Sequence, residues 1–159
     1  MQNILTTEQA IRIAEKLNNK RIVIAGGCFD VLHVGHVRFL QNAKQQGDVL
    51  FLLLENDENV KRLKGKDRPI NSQKDRAEVL SNLKSVDYVV LLPEMKSDKD
   101  YDKLISCLKP DILATTENDP GKKHKERQSE ITGANVKEVM KRLESKSTTI
   151  LKNSLSRTK

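Results

Sequence analysis

A chain of 159 residues, 36% hydrophobic and 32% charged, is sized for one domain with a real core and hardly for two. No stretch reaches the roughly 20 apolar residues that span a bilayer, and "MQNILTTEQAIRIAEKLNNK" at the start lacks the order of a secretory signal. The expectation is a cytoplasmic single domain over residues 1–159, with Cys28 and Cys107 as free thiols, too few for a disulfide framework or a four-ligand zinc site.

The net charge of +7 is unevenly spread. Residues 1–120 hold 18 Lys/Arg and 18 Asp/Glu, whereas residues 121–159 hold 11 against 4. A basic end segment raises the question of nucleic acid. This one contains no Phe, Tyr or Trp to stack on bases, and its charges alternate with apolar residues as on a solvated helix face. Attraction of a small polyanionic substrate needs fewer assumptions.

In chain order, the N-terminal 20 residues are read as helical, with a helix over residues 7–18 that sets Ala10, Ile11, Ala14 and Leu17 along one face. "RIVIA" (21–25) is a short buried strand, followed by a helix over 35–46 closed by Gly47. "VLFLLLE" (49–55) reads as a strand covered on both sides, and "DENVKRLKG" as a helix ending at Gly65. A helix over 71–85 opens with Ser72 and Asp75 in a capping-box pattern and offers Ala77, Val79, Leu80 and Leu83 as its apolar side. "VDYVVLL" (86–92) is a third strand, "YDKLISCLK" a helix stopped by Pro110, and "DILAT" a fourth strand. A basic helix, a fifth strand near "VKEVM" and a last helix from "STTILKNSL" follow, with residues 154–159 frayed. Strands alternating with helices predict an α/β fold: a Rossmann-like, doubly wound, parallel five-stranded sheet.

In such a sheet, ligands sit beyond the carboxyl ends of the strands, where strand order reverses. "GGCFDVLHVGH" (26–36) occupies that position. Gly26 and Gly27 permit a tight turn and close backbone approach. The amides entering the next helix are expected to be unpaired and to favour phosphate. His33 and His36, three apart, face the same way within a helical turn. Gly35 between them leaves room for a phosphate. The stretch has neither the Gly-x-Gly-x-x-Gly spacing of a dinucleotide loop nor the Gly-Lys-Ser/Thr of a P-loop. Two histidines at this spacing also suit a metal, but no third ligand is evident nearby. Cys28 is a nucleophile or a small loop residue, and no base stands ready to activate it.

The motif His33-Val34-Gly35-His36 resembles the first signature of the HxGH nucleotidyltransferases, also called cytidylyltransferase-like. The resemblance extends through "RFLQNAKQQGD" (38–48), "RLKGKDRPIN" (62–71) and "RAEVLSNLKSVDYVV" (76–90), which are similar to the heptose 1-phosphate adenylyltransferase group of lipopolysaccharide biosynthesis. "RLESKSTTI" (142–150) resembles the second signature. The resemblance implies transfer of a nucleoside monophosphate from ATP or CTP to a phosphorylated acceptor, with release of pyrophosphate. It implies that His33 and His36 hold the triphosphate, that Gly27, Cys28, Phe29 and Gly35 line the nucleotide site, and that Lys64 offsets repulsion between the phosphates. It places Arg76, Arg142, Ser147, Thr148 and Thr149 at phosphates. It further implies Mg²⁺ held mainly by phosphate oxygens, and a homodimer. Asp30 is either a metal ligand or a stabiliser of the loop.

The chain departs from the family in two places. "ATTENDPGKKHKE" (114–126) stands where a Lys-Gly-Gly-Asp-Tyr or Gly-Asp-Asp-Trp type stretch is usual, and Ser145 and Lys146 stand where Gly and an aliphatic residue are usual. These changes leave the acceptor and the choice of adenine or cytosine open. A glycerol 3-phosphate cytidylyltransferase, an FMN adenylyltransferase and a non-catalytic nucleotide-binding module are the alternatives.

Overall fold

The computed structural model describes residues 3–141. The elements run β1 (Ile4–Thr6), α1 (Thr7–Ala14), β2 (Ile22–Gly27), α2 (Val34–Lys44), β3 (Val49–Leu54), α3 (Asp57–Lys64), α4 (Gln73–Ser81), β4 (Tyr88–Leu91), α5 (Asp98–Leu108), β5 (Ile112–Thr116), α6 (Lys122–Thr132) and β6 (Asn135–Met140). All strand pairs are parallel, in the order β1-β4-β3-β2-β5-β6. The chain winds outward from β2 through β3 to β4, then returns to place β5 and β6 on the other side. The strand order therefore reverses between β2 and β5, which is where a doubly wound sheet opens a ligand crevice.

The sheet has six strands rather than the five expected. The addition is β1, whose Ile4, Leu5 and Thr6 pair with Val89, Val90 and Leu91. Three residues are too few to show a strand period, and the partner lies more than 80 positions away in the chain. The N-terminal segment is thus strand before helix. Thr6 ends the strand and caps α1: its hydroxyl accepts from the Gln9 amide at 3.3 Å, and the Gln9 side chain accepts from the Thr6 amide at 2.9 Å. The expected apolar face is present, with Ala10 fully buried and Ile11, Ala14 and Leu17 packed against the core.

Strands β2 and β3 are buried on both faces, which explains their unbroken apolar sequences. Successive side chains alternate between two cores. Ile22, Ile24, Phe51, Leu53 and Val90 meet Leu104, Ile105 and Leu108 of α5 and Ala10 of α1. Val23, Ala25, Leu50, Leu52 and Val89 meet Leu40 and Ala43 of α2 and Ala77 and Leu80 of α4. Val79 departs from expectation: it is 52% exposed, because one residue's rotation turns it about 100° from Leu80. Ser72 does cap α4, but its hydroxyl donates to the Asp75 carboxylate at 2.6 Å while accepting from the Asp75 amide at 3.2 Å.

Candidate active site

Between β2 and α2 the chain makes a short loop whose last residue, His33, is the N-cap of α2. Its Nδ1 accepts from the Gly35 amide at 3.1 Å. That bond sets the tautomer: in the neutral ring the proton is on Nε2, free to donate to a ligand. The His36 amide donates to the His33 carbonyl at 2.9 Å, and the Val37 amide donates to the same carbonyl at 3.2 Å. The first-turn amides of Gly35, His36 and Val37 are therefore engaged within the turn, contrary to the expectation of an open amide cradle. The helix end still carries its partial positive charge, but the imidazoles are the donors it presents.

The rings of His33 and His36 stack with centroids 3.8 Å apart and planes 24° apart. Phe29 backs His36 at 5.0 Å. Burial lowers the His33 pKa. Burial, then His33, then the Lys64 ammonium push His36 down to about 4. Both rings are neutral at pH 7. His36 Nδ1 is buried and makes no hydrogen bond among the described residues.

The loop itself is held from outside. Phe29 lies at φ +44°, and a Cβ added to Gly27 would sit 2.9 Å from the Phe29 ring. Gly27 is thus needed for the ring to fold back over the strand end. Asp30 is buried and receives the Arg68 guanidinium together with the amides of Ile70 at 2.7 Å and Asn71 at 3.0 Å. Its carbonyl accepts from the Asn71 side chain at 2.9 Å. Asp30 thus clips the 65–71 segment onto the glycine loop, the stabilising role among its two expected ones. Burial raises the Cys28 thiol pKa, so at pH 7 it is a neutral loop group.

Lys64 is the exposed last residue of α3. Its charge favours the neutral form of His36 and opposes the rise of the Cys28 thiol pKa. Arg76 is 2% exposed and turned inward. It donates to the carbonyls of Asn71 at 3.0 Å, Cys28, and Glu55 at 2.9 Å, and to the Asp57 carboxylate at 2.7 Å. Its guanidinium therefore ties the ends of β2 and β3 to the starts of α3 and α4. Gln73 does similar work, donating to the carbonyls of Leu54 at 3.0 Å and Leu92 at 2.9 Å. Arg142, Ser147, Thr148 and Thr149, expected at phosphates, lie outside the described residues, as does the helix expected from "STTILKNSL".

Across the crevice, the unusual 114–126 stretch forms a pinned turn after β5. The Asp119 carboxylate accepts from the Thr115 hydroxyl at 2.6 Å, the Lys125 ammonium at 2.6 Å and the Gly121 amide at 2.8 Å. Burial pushes that carboxyl up, but these three donors outweigh it and hold its pKa below the usual range.

Sequence reasoning passed over Arg68, Gln73, Glu55, Asn59 and Tyr101. Each has at least one partner 19 or more positions away in the chain, and Asn59 is fully buried in the first turn of α3.

Residues 24–153 match the family described as cytidylyltransferase-like. The chain belongs to that family. This cytidylyltransferase-like chain is 50% identical over 113 residues, 70% of its length, to the bifunctional protein HldE of Aliarcobacter butzleri, of which the match covers 23%. It is 47% identical over 135 residues, 83% of its length, to the bifunctional protein HldE of Nitratiruptor sp., covering 27% of it. The matches thus span about a quarter of the length of these relatives. Among solved structures, the lipopolysaccharide core biosynthesis protein of Thermoplasma volcanium is similar with a TM-score of 0.61 at 27% identity, covering 78% of this chain and 98% of that one.

Nucleotidyltransferases of this family use divalent metal ions in general. Among the described residues, no three His, Cys, Asp or Glu side chains converge to hold one. The Asp30 carboxylate is already occupied by Arg68 and two amides. Among the described residues no helix is long and apolar enough to cross a membrane.

Proposed function

We propose that the chain transfers a nucleoside monophosphate, AMP first, from a nucleoside triphosphate to a sugar 1-phosphate, heptose 1-phosphate first. An oxygen of the acceptor phosphate attacks the α-phosphorus, the bond to the β-phosphate oxygen breaks, and pyrophosphate leaves. The observation that carries this reading is the neutral, stacked His33–His36 pair at the start of α2, with Lys64 at the same crevice. The histidines donate to the triphosphate as charge moves onto the leaving group, and Lys64 screens the approach of a second anion. Arg76 acts as a positioning residue: it holds the strand ends under the reacting phosphates. The cation, Mg²⁺ in this reading, arrives with the triphosphate as part of the substrate. The reaction belongs in the cytoplasm, where both substrates occur, and a homodimer accords with the family resemblance.

The β5 side of the crevice, with its Asp119 turn, takes the base, and the β3 side, with Lys64, takes the acceptor. The test is a panel of ATP and CTP against heptose 1-phosphate, glycerol 3-phosphate and FMN, read by pyrophosphate release. Turnover highest with ATP and heptose 1-phosphate is expected. Turnover with glycerol 3-phosphate and CTP, or with FMN and ATP, would replace the acceptor. Tight nucleotide binding without pyrophosphate would make the chain a binding module.

A further inference from the structure

Glu55, the first residue after β3, is a half-buried carboxylate beside the phosphate loop. Its amide donates to the Gly27 carbonyl at 3.1 Å, and its charge acts on the Cys28 thiol together with that of Lys64. Among the described residues it forms no ion pair. It is held by neutral donors instead. The Tyr101 hydroxyl from α5 lies 2.9 and 3.0 Å from its two oxygens, and the Asn59 amide donates to Oε2 at 2.9 Å. Asn59 in turn accepts from Arg62 at 2.9 Å, and Arg62 donates to the Met95 carbonyl at 2.8 Å. The carboxylate is therefore held in one orientation by a network that reaches from α3 to α5.

A carboxylate next to a polyphosphate site repels the anion and gains nothing from it. Held by neutral donors and not by a cation, it is set to accept from hydroxyl groups. Two oxygens offer about four lone-pair positions. Tyr101 meets both oxygens and Asn59 adds a second contact to Oε2, and the half-buried side chain leaves what remains to a ligand. Lys64 stands at the same crevice for a phosphate. A cation for one end and an oriented hydroxyl acceptor for the other describe a polyol phosphate.

We infer that Glu55, oriented by Tyr101 and Asn59, is the specificity-determining residue that accepts hydrogen bonds from the hydroxyl groups of the acceptor. This rests on the transfer to a phosphorylated sugar proposed above, and names the side chain that tells a polyhydroxylated acceptor from a bare phosphate ester.

The test is direct binding to the full chain by calorimetry, with heptose 1-phosphate and with phenyl phosphate, which has the phosphate but no hydroxyls. Glu55→Gln is expected to weaken heptose 1-phosphate binding roughly 10- to 100-fold, the size of a lost hydrogen bond to a charged group. Phenyl phosphate and ATP should bind as to the wild type. Tyr101→Phe, which keeps the carboxylate and removes one of its supports, should weaken the sugar phosphate alone by a smaller factor. Equal losses for both esters, or no loss for either, would overturn the assignment, and Tyr101→Phe decides it if Glu55→Gln does not fold. Because the readout is binding, an absence of pyrophosphate release would refute the transfer reaction without touching this result.

Discussion

His33 caps α2 with its Nδ1 and stacks its ring 3.8 Å from that of His36, so one residue both starts the helix and shields its neighbour. Capping fixes which nitrogen of His33 carries the proton. Stacking and burial keep His36 uncharged. In the proposed reaction, a pair of neutral rings donates to the incoming triphosphate without first binding competing anions.

Stability should fall with acid through His36. Its folded pKa, about 4, lies below the ordinary value of 6.5. Between those values the unfolded chain binds a proton that the folded chain refuses. The contribution is fully present above pH 6.5 and is lost as pH falls toward 4, at up to about 1.4 kcal/mol per pH unit for one whole proton. Urea denaturation from pH 7 to 4.5 should show a steeper loss in the wild type than in His36→Asn. Parallel curves would refute the depressed pKa.

Lys64 lowers the His36 pKa, so Lys64→Ala should raise it. Titration of the ring protons by NMR measures this directly. Turnover should drop about 100-fold in the same variant, the scale of one lost electrostatic stabiliser. An unmoved titration curve would remove Lys64 from the crevice.

His36→Ala should lower turnover about 100- to 1,000-fold, as expected for the loss of one preorganised donor. Its melting temperature should shift by only a few degrees, corresponding to about 1 kcal/mol. Wild-type pyrophosphate release would show that the ring has no part in the chemistry.

Asp30→Asn should cost about 3–5 kcal/mol, because it leaves the buried Arg68 guanidinium without its partner charge. Chemical denaturation at pH 7 checks this. A loss below about 1 kcal/mol would mean that the clip between the two loops does not depend on charge.

Gly27→Ala places a Cβ 2.9 Å from the Phe29 ring, which must then move from over the strand end. Nucleotide affinity should fall about tenfold, equivalent to about 1.4 kcal/mol. An unchanged Kd for ATP would mean that the loop adjusts at no cost to the site.

Most of the fold could be read along the chain. The unbroken apolar sequences of β2 and β3 announce strands covered on both sides, and the apolar spacing over residues 7–18 announces a helix laid on the sheet. Both signals are local, set by which side chains must leave water. The motif His33-Val34-Gly35-His36 was equally visible, since both histidines lie within one turn of the same helix.

The sequence by itself determined, then, a parallel α/β sheet and the glycine–histidine loop at the point where its strand order reverses. Only the tertiary structure decided that β1 would complete the edge, that Arg76 would turn inward to four partners, that Asp30 would clip a segment about 40 positions away, and that Glu55 would be held by Tyr101. The reason is physical. Periodicity reports the environment of a side chain, buried or wet, whereas a buried hydrogen bond joins groups brought together by the winding of the sheet, and their separation along the chain carries no trace of it.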